Sequence, residues 1–563
     1  MRIFYLAILV FFNTWIILAQ GPDIVWAKQM GGSSHDTGHY ITTDNTGNVF
    51  TTGGFWGTAD FDPGPGIQNL SSAGMSDIFI HKLDSDGNLL WVKQMGAGSG
   101  DWGRSITTDD NGNVYITGVF QGTVDFDPGA GVHNFTSAGF DDIFIQKLDS
   151  NGNFLWAKQM GSSGFDKGYS LITDVSGNVY STGKFTNTVD FDPGVGIYNL
   201  TSFGDGDIFI QKLDSDGNFV FAKQMGGDSG NDWGYSITID GSSNLYTTGN
   251  FTGTVDFDPG TDLHYLTSAG SFDVFIQKLD SNGNFVWAKR VGGIHFDEGY
   301  SITIDGNSNV FTTGIFQGTV DFDPNIEVQN LTSEGMFDIF IQKLNSDGNY
   351  LWAKQMGGSD IDYGRSIITD ASGDVYITGN FRDTVDFDPG VGVQILTSAG
   401  IDDTFIQKLD SDGNFLWVNQ VGGSDEDIGL SITIDSSGNI YATGAFQGTV
   451  DFDPGAGIHN LTSAGSYDVF IQKLNSTLGL NNFSLGASFV IYPNPSDSKF
   501  TIAFESVLSE VEVTVVDIQG RILYSNQYQN TDNINLEFDN SAGVYLVEIK
   551  TPLGKKTKSF IKK

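Results

Sequence analysis

The stretch Thr117-Gly118-Val119-Phe120-Gln121-Gly122-Thr123-Val124-Asp125-Phe126-Asp127-Pro128 is one of seven copies of the phrase T-G-x-F-x-x-T-x-D-F-D-P. Its first aspartate falls at Asp60, Asp125, Asp190, Asp256, Asp321, Asp386 and Asp451, in steps of 65 or 66 residues. The second falls at Asp62, Asp127, Asp192, Asp258, Asp323, Asp388 and Asp453. Working outward, an aromatic keeps the same step at Trp26, Trp91, Trp156, Phe221, Trp287, Trp352 and Trp417. A Lys-Leu pair ends an apolar run at Leu83, Leu148, Leu213, Leu279, Leu344, Leu409 and Leu474. A fixed period over this length means one supersecondary unit stacked on itself.

One period, Gly103 to Met160, reads as four short β-prone runs: Arg104–Thr108, Asn113–Phe120, Asp142–Leu148 and Asn153–Met160. The turns Asp109-Asp110-Asn111-Gly112 and Asp149-Ser150-Asn151-Gly152 supply the positive φ that tight hairpins need. A long polar connection, Gln121 to Phe140, separates the second and third runs. Ile143-Phe144-Ile145 is continuously apolar, as expected of a sheet buried on both faces. The expected fold is all-β: a seven-bladed β-propeller over residues 21–475. The Asx-Ser-Asx-Gly-Asn turn between third and fourth strands occurs only six times, and Asp23–Met30 matches a fourth strand. The N-terminal strand is therefore expected to complete the last blade and remove the open edges.

The repeat resembles the bacterial β-propeller repeat called SBBP through D-x-x-G-N-V-Y-x-T-G (to Gly118), D-I-F-I-Q-K-L (Asp142–Leu148) and D-G-N-F-L-W (Asp412–Trp417). That resemblance implies the fold and little about activity. Residues 488–563 have another pattern, a small Ig-like β-sandwich after a linker at 476–487. They resemble the type IX secretion C-terminal sorting domain of Bacteroidota, through Tyr492-Pro493-Asn494-Pro495, the Gly520-Arg521 pair, and Gly543 with Tyr545 in G-V-Y-L-V-E-I. The resemblance implies type IX secretion machinery as a partner and a secreted or surface location. The apolar run Ile3–Leu18 after Arg2 reads as a signal peptide spanning 1–20. After its removal no stable membrane span is expected.

The 563 residues carry a net charge of −40, which disfavours nucleic acid and anionic membrane. There is no cysteine, so stability must come from packing and closure. The fourteen D-F-D-P aspartates are candidate calcium ligands, since carboxylates near a glycine turn suit a hard cation. Turn chemistry competes, because Asp caps turns and Pro fixes φ. In that case Val124 and Phe126 point inward and the aspartates outward. A further D-x-G aspartate recurs at Asp36, Asp101, Asp166, Asp232, Asp297, Asp362 and Asp427, so twenty-one carboxylates are expected on one rim. Between that aspartate and its glycine stand Trp102, Trp233 and Tyr363, where other copies have Thr37, Lys167, Glu298 and Ile428. Aromatics at such a variable position suit sugar stacking or scattered surface placement. No Ser/His/Asp set, HExxH helix or phosphate loop is present. The expected function is an exported binding or adhesion protein for a glycan or a protein. A secreted carbohydrate- or peptide-active enzyme and a structural surface component remain alternatives.

Overall fold

The computed structural model describes residues 21–228, 230–455, 457–478, 489–517, 521–551 and 554–563. The expected signal peptide, and the expected linker from 479 onward, lie outside them. The chain divides into two compact units, Met1–Ser476 and Thr477–Lys563. Every regular element among the described residues is a β-strand.

In the first unit, five separate sheets share one plan of four antiparallel strands. In the second copy the order is Trp102–Thr108, Val114–Phe120, Asp142–Leu148 and Phe154–Met160. The quoted phrase explains itself at this level. Thr117 Oγ1 donates to the carbonyl of Phe144 at 2.7 Å, tying the second strand to the third. The first strand bulges between Gly103 and Ser105. The bulge brings the carbonyl of Trp102 to 1.9 Å from where a Cβ on Gly118 would stand, so only glycine fits. Phe120 meets Phe126 edge-on at 5.2 Å, and Phe126 packs on Phe144 at 5.1 Å. Val124 and Phe126 are fully buried, as strand alternation requires.

The long connection is more ordered than its sequence suggests. Thr123–Asp125 pairs with Asn134–Thr136, with Asp125 opposite Asn134. D-F-D-P is the loop of this small hairpin. Three-residue strands are too short to show a period of two, which is why the reading of a plain connection was incomplete.

Other motif letters hold the layers together. Gln211 Nε2 donates to the Phe191 carbonyl at 2.6 Å; where the first copy has His81, its Nε2 reaches the Phe61 carbonyl at 2.9 Å. Trp91 Nε1 and Lys82 Nζ both donate to the Ser150 carbonyl of the next sheet, at 3.2 and 3.0 Å.

The ends of the array meet. One eight-stranded sheet runs Ile428–Ile434, Ile440–Asp451, Asn460–Leu478, Pro22–Gly32, Val49–Asp60, Asn69–Leu83 and Leu89–Met95, with Asp36–Thr43 also on Val49–Asp60. It is two four-stranded groups joined where Gly31 and Gly32 pair with Asp60 and Ala59. The N-terminal strand repeats contacts made by other fourth strands. Gln29 Nε2 reaches Asp468 at 2.6 Å as Gln94 reaches Asp77 at 2.7 Å. Trp26 Nε1 and Lys473 Nζ reach the Ser85 carbonyl at 3.2 and 2.9 Å.

In the second unit, Phe489–Tyr492, Lys499–Asp517, Ile522–Glu537, Gly543–Thr551 and Gly554–Lys562 form one antiparallel sheet. The long strand Lys499–Asp517 pairs with Phe489–Tyr492 near its start and with Gly543–Thr551 near its end. Its register against Ile522–Glu537 shifts between Ala503 and Leu508. Phe500, Ile502, Val513, Val515, Val547 and Phe560 share one core.

Candidate functional site

The D-F-D-P aspartates act as turn acceptors. Asp125 Oδ1 takes the N–H groups of Asp127 and His133 at 3.0 and 2.8 Å, and Asp127 Oδ1 takes Gly129 N–H at 2.8 Å. The same set recurs from Asp60 and Asp62 through Asp451 and Asp453. It also holds at Asp190 and Asp192, Asp256 and Asp258, Asp321 and Asp323, and Asp386 and Asp388. Among the described residues, no group of three or more His, Asp or Glu side chains is arranged to hold a metal ion.

All seven D-x-G aspartates, expected with the others on one rim, are buried. Asp101 accepts from Ala97 N–H at 2.7 Å and Gln121 N–H at 2.8 Å, clamping the start of the inner strand to the end of the second. Burial pushes its carboxyl up to about 7, with Asp77 and Asp141 adding to the rise and the two N–H donors opposing it. Asp36, Asp297, Asp362 and Asp427 are likewise pushed up to about 7, and Asp232 to about 8, by burial. An Asp flanked by loop glycine reads as a solvated turn; only the fold reveals donors four residues before it and twenty after it.

The seven inner strands line one cavity of ≈ 180 Å³, bounded by His39, Tyr40, Arg104, Tyr169, Ser170, Tyr235, Ser236, Tyr300, Ser301, Arg365, Ser366 and Leu430. Serine hydroxyls of these strands accept from the next strand's backbone, as in Ile237 N–H to Ser170 at 3.3 Å and Ile41 N–H to Ser431 at 3.3 Å. The residue between the conserved-in-chain glycine and this serine changes from copy to copy: His39, Arg104, Tyr169, Tyr235, Tyr300, Arg365, Leu430. His39 Nδ1 donates to the Gly103 carbonyl at 2.9 Å, since a carbonyl only accepts. Burial, then Arg104, pushes this imidazole down to about 3, so it is neutral with Nε2 an acceptor.

The variable D-x-G aromatics extend the same wall. Trp102 packs on His39 at 5.3 Å and on Trp56 at 4.6 Å. Trp233 stacks on Tyr169 at 5.9 Å, and the Arg365 guanidinium lies 3.9 Å from the Tyr363 ring. They are neither scattered nor solitary. Sequence reading found these aromatics but missed the cavity. The available signal was the G-x-S frame, constant on both sides of a changing residue.

The sorting-type residues lie in the second unit. Tyr492 ends its strand half-exposed, and Asn494 bridges the Ser559 carbonyl (2.9 Å) and Ile561 N–H (2.8 Å) beside Pro493 and Pro495. Gly543 opens its strand, and buried Tyr545 donates to the Ser541 carbonyl at 2.6 Å. Arg521 is exposed, and Gly520 lies outside the described residues.

Residues 490–563 match the family model of the secretion system C-terminal sorting domain. Segments 90–119, 220–253, 351–380 and 416–445 match that of the beta-propeller repeat. The chain thus carries β-propeller repeats followed by a type IX sorting domain. The sorting domain indicates export through that system to the cell surface or the surroundings. Among curated proteins it is similar to an uncharacterized WD repeat-containing protein of Acanthamoeba polyphaga mimivirus, at 26% identity over 76% of this chain and 36% of that protein. It is also similar to the regulatory protein FlaEY of Caulobacter vibrioides, at 23% identity over 51% of this chain and 31% of that one. The chain spans about a third of the length of these relatives. Among solved structures, PorZ, a surface component of the type IX secretion system of Porphyromonas gingivalis, aligns at 11% identity and TM-score 0.24, covering 95% of this chain and 100% of that one. A fungal alcohol oxidase aligns at 11% identity and TM-score 0.38, covering 95% and 99%. Both scores are too low to carry a likeness of structure or function. No helix among the described residues is long and apolar enough to cross a membrane.

Proposed function

We propose that residues 21–475 form a closed seven-bladed propeller acting as an extracellular binding protein, with its ligand site in the central cavity. The 488–563 segment is read as an Ig-like β-sandwich that delivers it. Seven four-stranded groups and the pairing of the N-terminal strand with the last group support the ring. One observation carries the location of the site. In a chain of near-copies, the cavity-lining position holds four residue types, while the Gly before it never changes and the Ser after it changes once, to Tyr40. Duplication copies packing residues, and divergence at a lining position between two near-constant neighbours fits selection for a ligand. Binding is favoured over catalysis, because His39 is committed to a carbonyl and held neutral. A glycan array probed with the secreted chain and with Tyr235→Ala tests this. Capture by the parent should be lost in the variant. Capture unchanged by Tyr235→Ala places binding elsewhere and overturns the reading.

A further inference from the structure

The first unit holds four arginines among its described residues, and they divide two and two. Arg290 pairs with Asp273 at 2.5 Å, and Arg382 with Asp402 at 2.7 Å. Arg104 and Arg365 line the cavity, and neither forms an ion pair. Arg104 lies over the Trp102 ring at 5.5 Å. Arg365 is sandwiched by the rings of Tyr363 (3.9 Å) and Tyr300 (5.2 Å), with only a 3.5 Å contact to Asn380 Oδ1 as a hydrogen bond. Most lysines of this unit also lack an ion pair among the described residues, so what sets Arg104 and Arg365 apart is their place in the cavity wall. The acids nearby are already engaged. Asp141 acts on Arg104 through space but sits 3.7 Å from Lys167, and Glu298 accepts from Tyr300 Oη at 2.7 Å.

Guanidinium forks match a carboxylate with two parallel N–H donors. Tyrosine faces suit the C–H face of a sugar ring, and their hydroxyls with the His39 acceptor suit its OH groups. The volume of ≈ 180 Å³ is below the roughly 300–1,000 Å³ of sites for larger ligands, so it fits one ring. We infer that the cavity takes an acidic monosaccharide unit, a uronic acid at a chain end or free, held by Arg104 and Arg365 against the tyrosine wall.

This inference rests on the cavity being the binding site, and the experiment separates the two. Isothermal titration of the secreted chain with glucuronate, galacturonate, glucose and galactose, at fixed ionic strength, is compared with Arg104→Gln, Arg365→Gln and Tyr235→Ala. At least one uronate should bind, its neutral counterpart at least about tenfold more weakly, and each arginine variant should lose about tenfold or more. Gln removes the charge and keeps an amide that can hydrogen-bond, and an unchanged melting temperature shows that the variant is folded. Equal binding of neutral and acidic sugars, lost in Tyr235→Ala, overturns the acidic class and leaves the cavity site standing. Uronate binding indifferent to all three variants overturns both. Absence of uronate binding overturns the acidic-sugar assignment.

Discussion

Replacing Asp101 by Asn should flatten part of the pH dependence of stability. The carboxyl is fully buried, and its value is pushed from the ordinary 3.8 up to about 7. An acid raised on folding binds its proton more tightly in the folded state. Stability is therefore highest below the unfolded value and falls as pH climbs from about 4 to about 7, after which it levels. A shift of about 3 units at roughly 1.36 kcal/mol each makes about 4 kcal/mol the full span. Between pH 5.5 and 8, clear of the isoelectric region near 4.1, about 2 kcal/mol of this remains to be seen. Asn cannot titrate, so the variant lacks this slope. It also replaces one acceptor oxygen by an NH₂ group, leaving Ala97 or Gln121 N–H without a partner at a pH-independent cost of about 1–3 kcal/mol. Urea unfolding of parent and variant at half-unit pH steps, followed by tryptophan fluorescence, measures the gap. The variant should start less stable and gain on the parent by about 2 kcal/mol as pH rises from 5.5 to 8. Parallel curves refute the reasoning, because they mean Asp101 titrates as it does in the unfolded chain.

Gly118→Ala should destabilise by several kcal/mol, since its Cβ would meet the Trp102 carbonyl oxygen at 1.9 Å; a change below about 1 kcal/mol in the same titration contradicts the bulge. Deleting residues 21–32 should lower the melting temperature and produce aggregates on size-exclusion chromatography, because the edge at Asn460–Leu474 is uncovered; a monomer melting within about 2 °C of the parent speaks against closure. Asp125→Ala removes an acceptor of two N–H groups and should cost about 1–2 kcal/mol. Calcium and magnesium should stabilise the parent equally at equal ionic strength, and a clear calcium advantage would return the D-F-D-P aspartates to the role of metal ligands.

Legibility followed the range of the interactions. The strands and tight turns of each copy were readable, because short continuous apolar runs and Asx-Gly turns are local. Trp91 is visible as an aromatic at a fixed step, but its bond to Ser150 crosses 59 residues and leaves no local trace. The partners of Asp101 were illegible for the same reason: its donor at Gln121 is set by the bulge and the second strand, not by its neighbours. The cavity required knowing that six G-x-S segments and Gly38-His39-Tyr40 converge. Once register is known, the changing residue between constant neighbours is the feature that marks it.

The strand Pro22–Gly32 also sets the order in which the chain can finish folding. Gln29 and Asp468 are 439 residues apart, and joining such ends in a coil costs about 5 kcal/mol of loop entropy. Each intervening group is closed by contacts within about 70 residues, as Lys82 to Ser150 shows, so it can form as soon as it is made. The last group cannot: it waits with three strands for a fourth that was synthesised first. Until then the first strand is an unpaired edge carried at the front of the molecule. A chain stopped anywhere before residue 468 keeps that edge open, so the final sheet reports that synthesis has passed the last repeat.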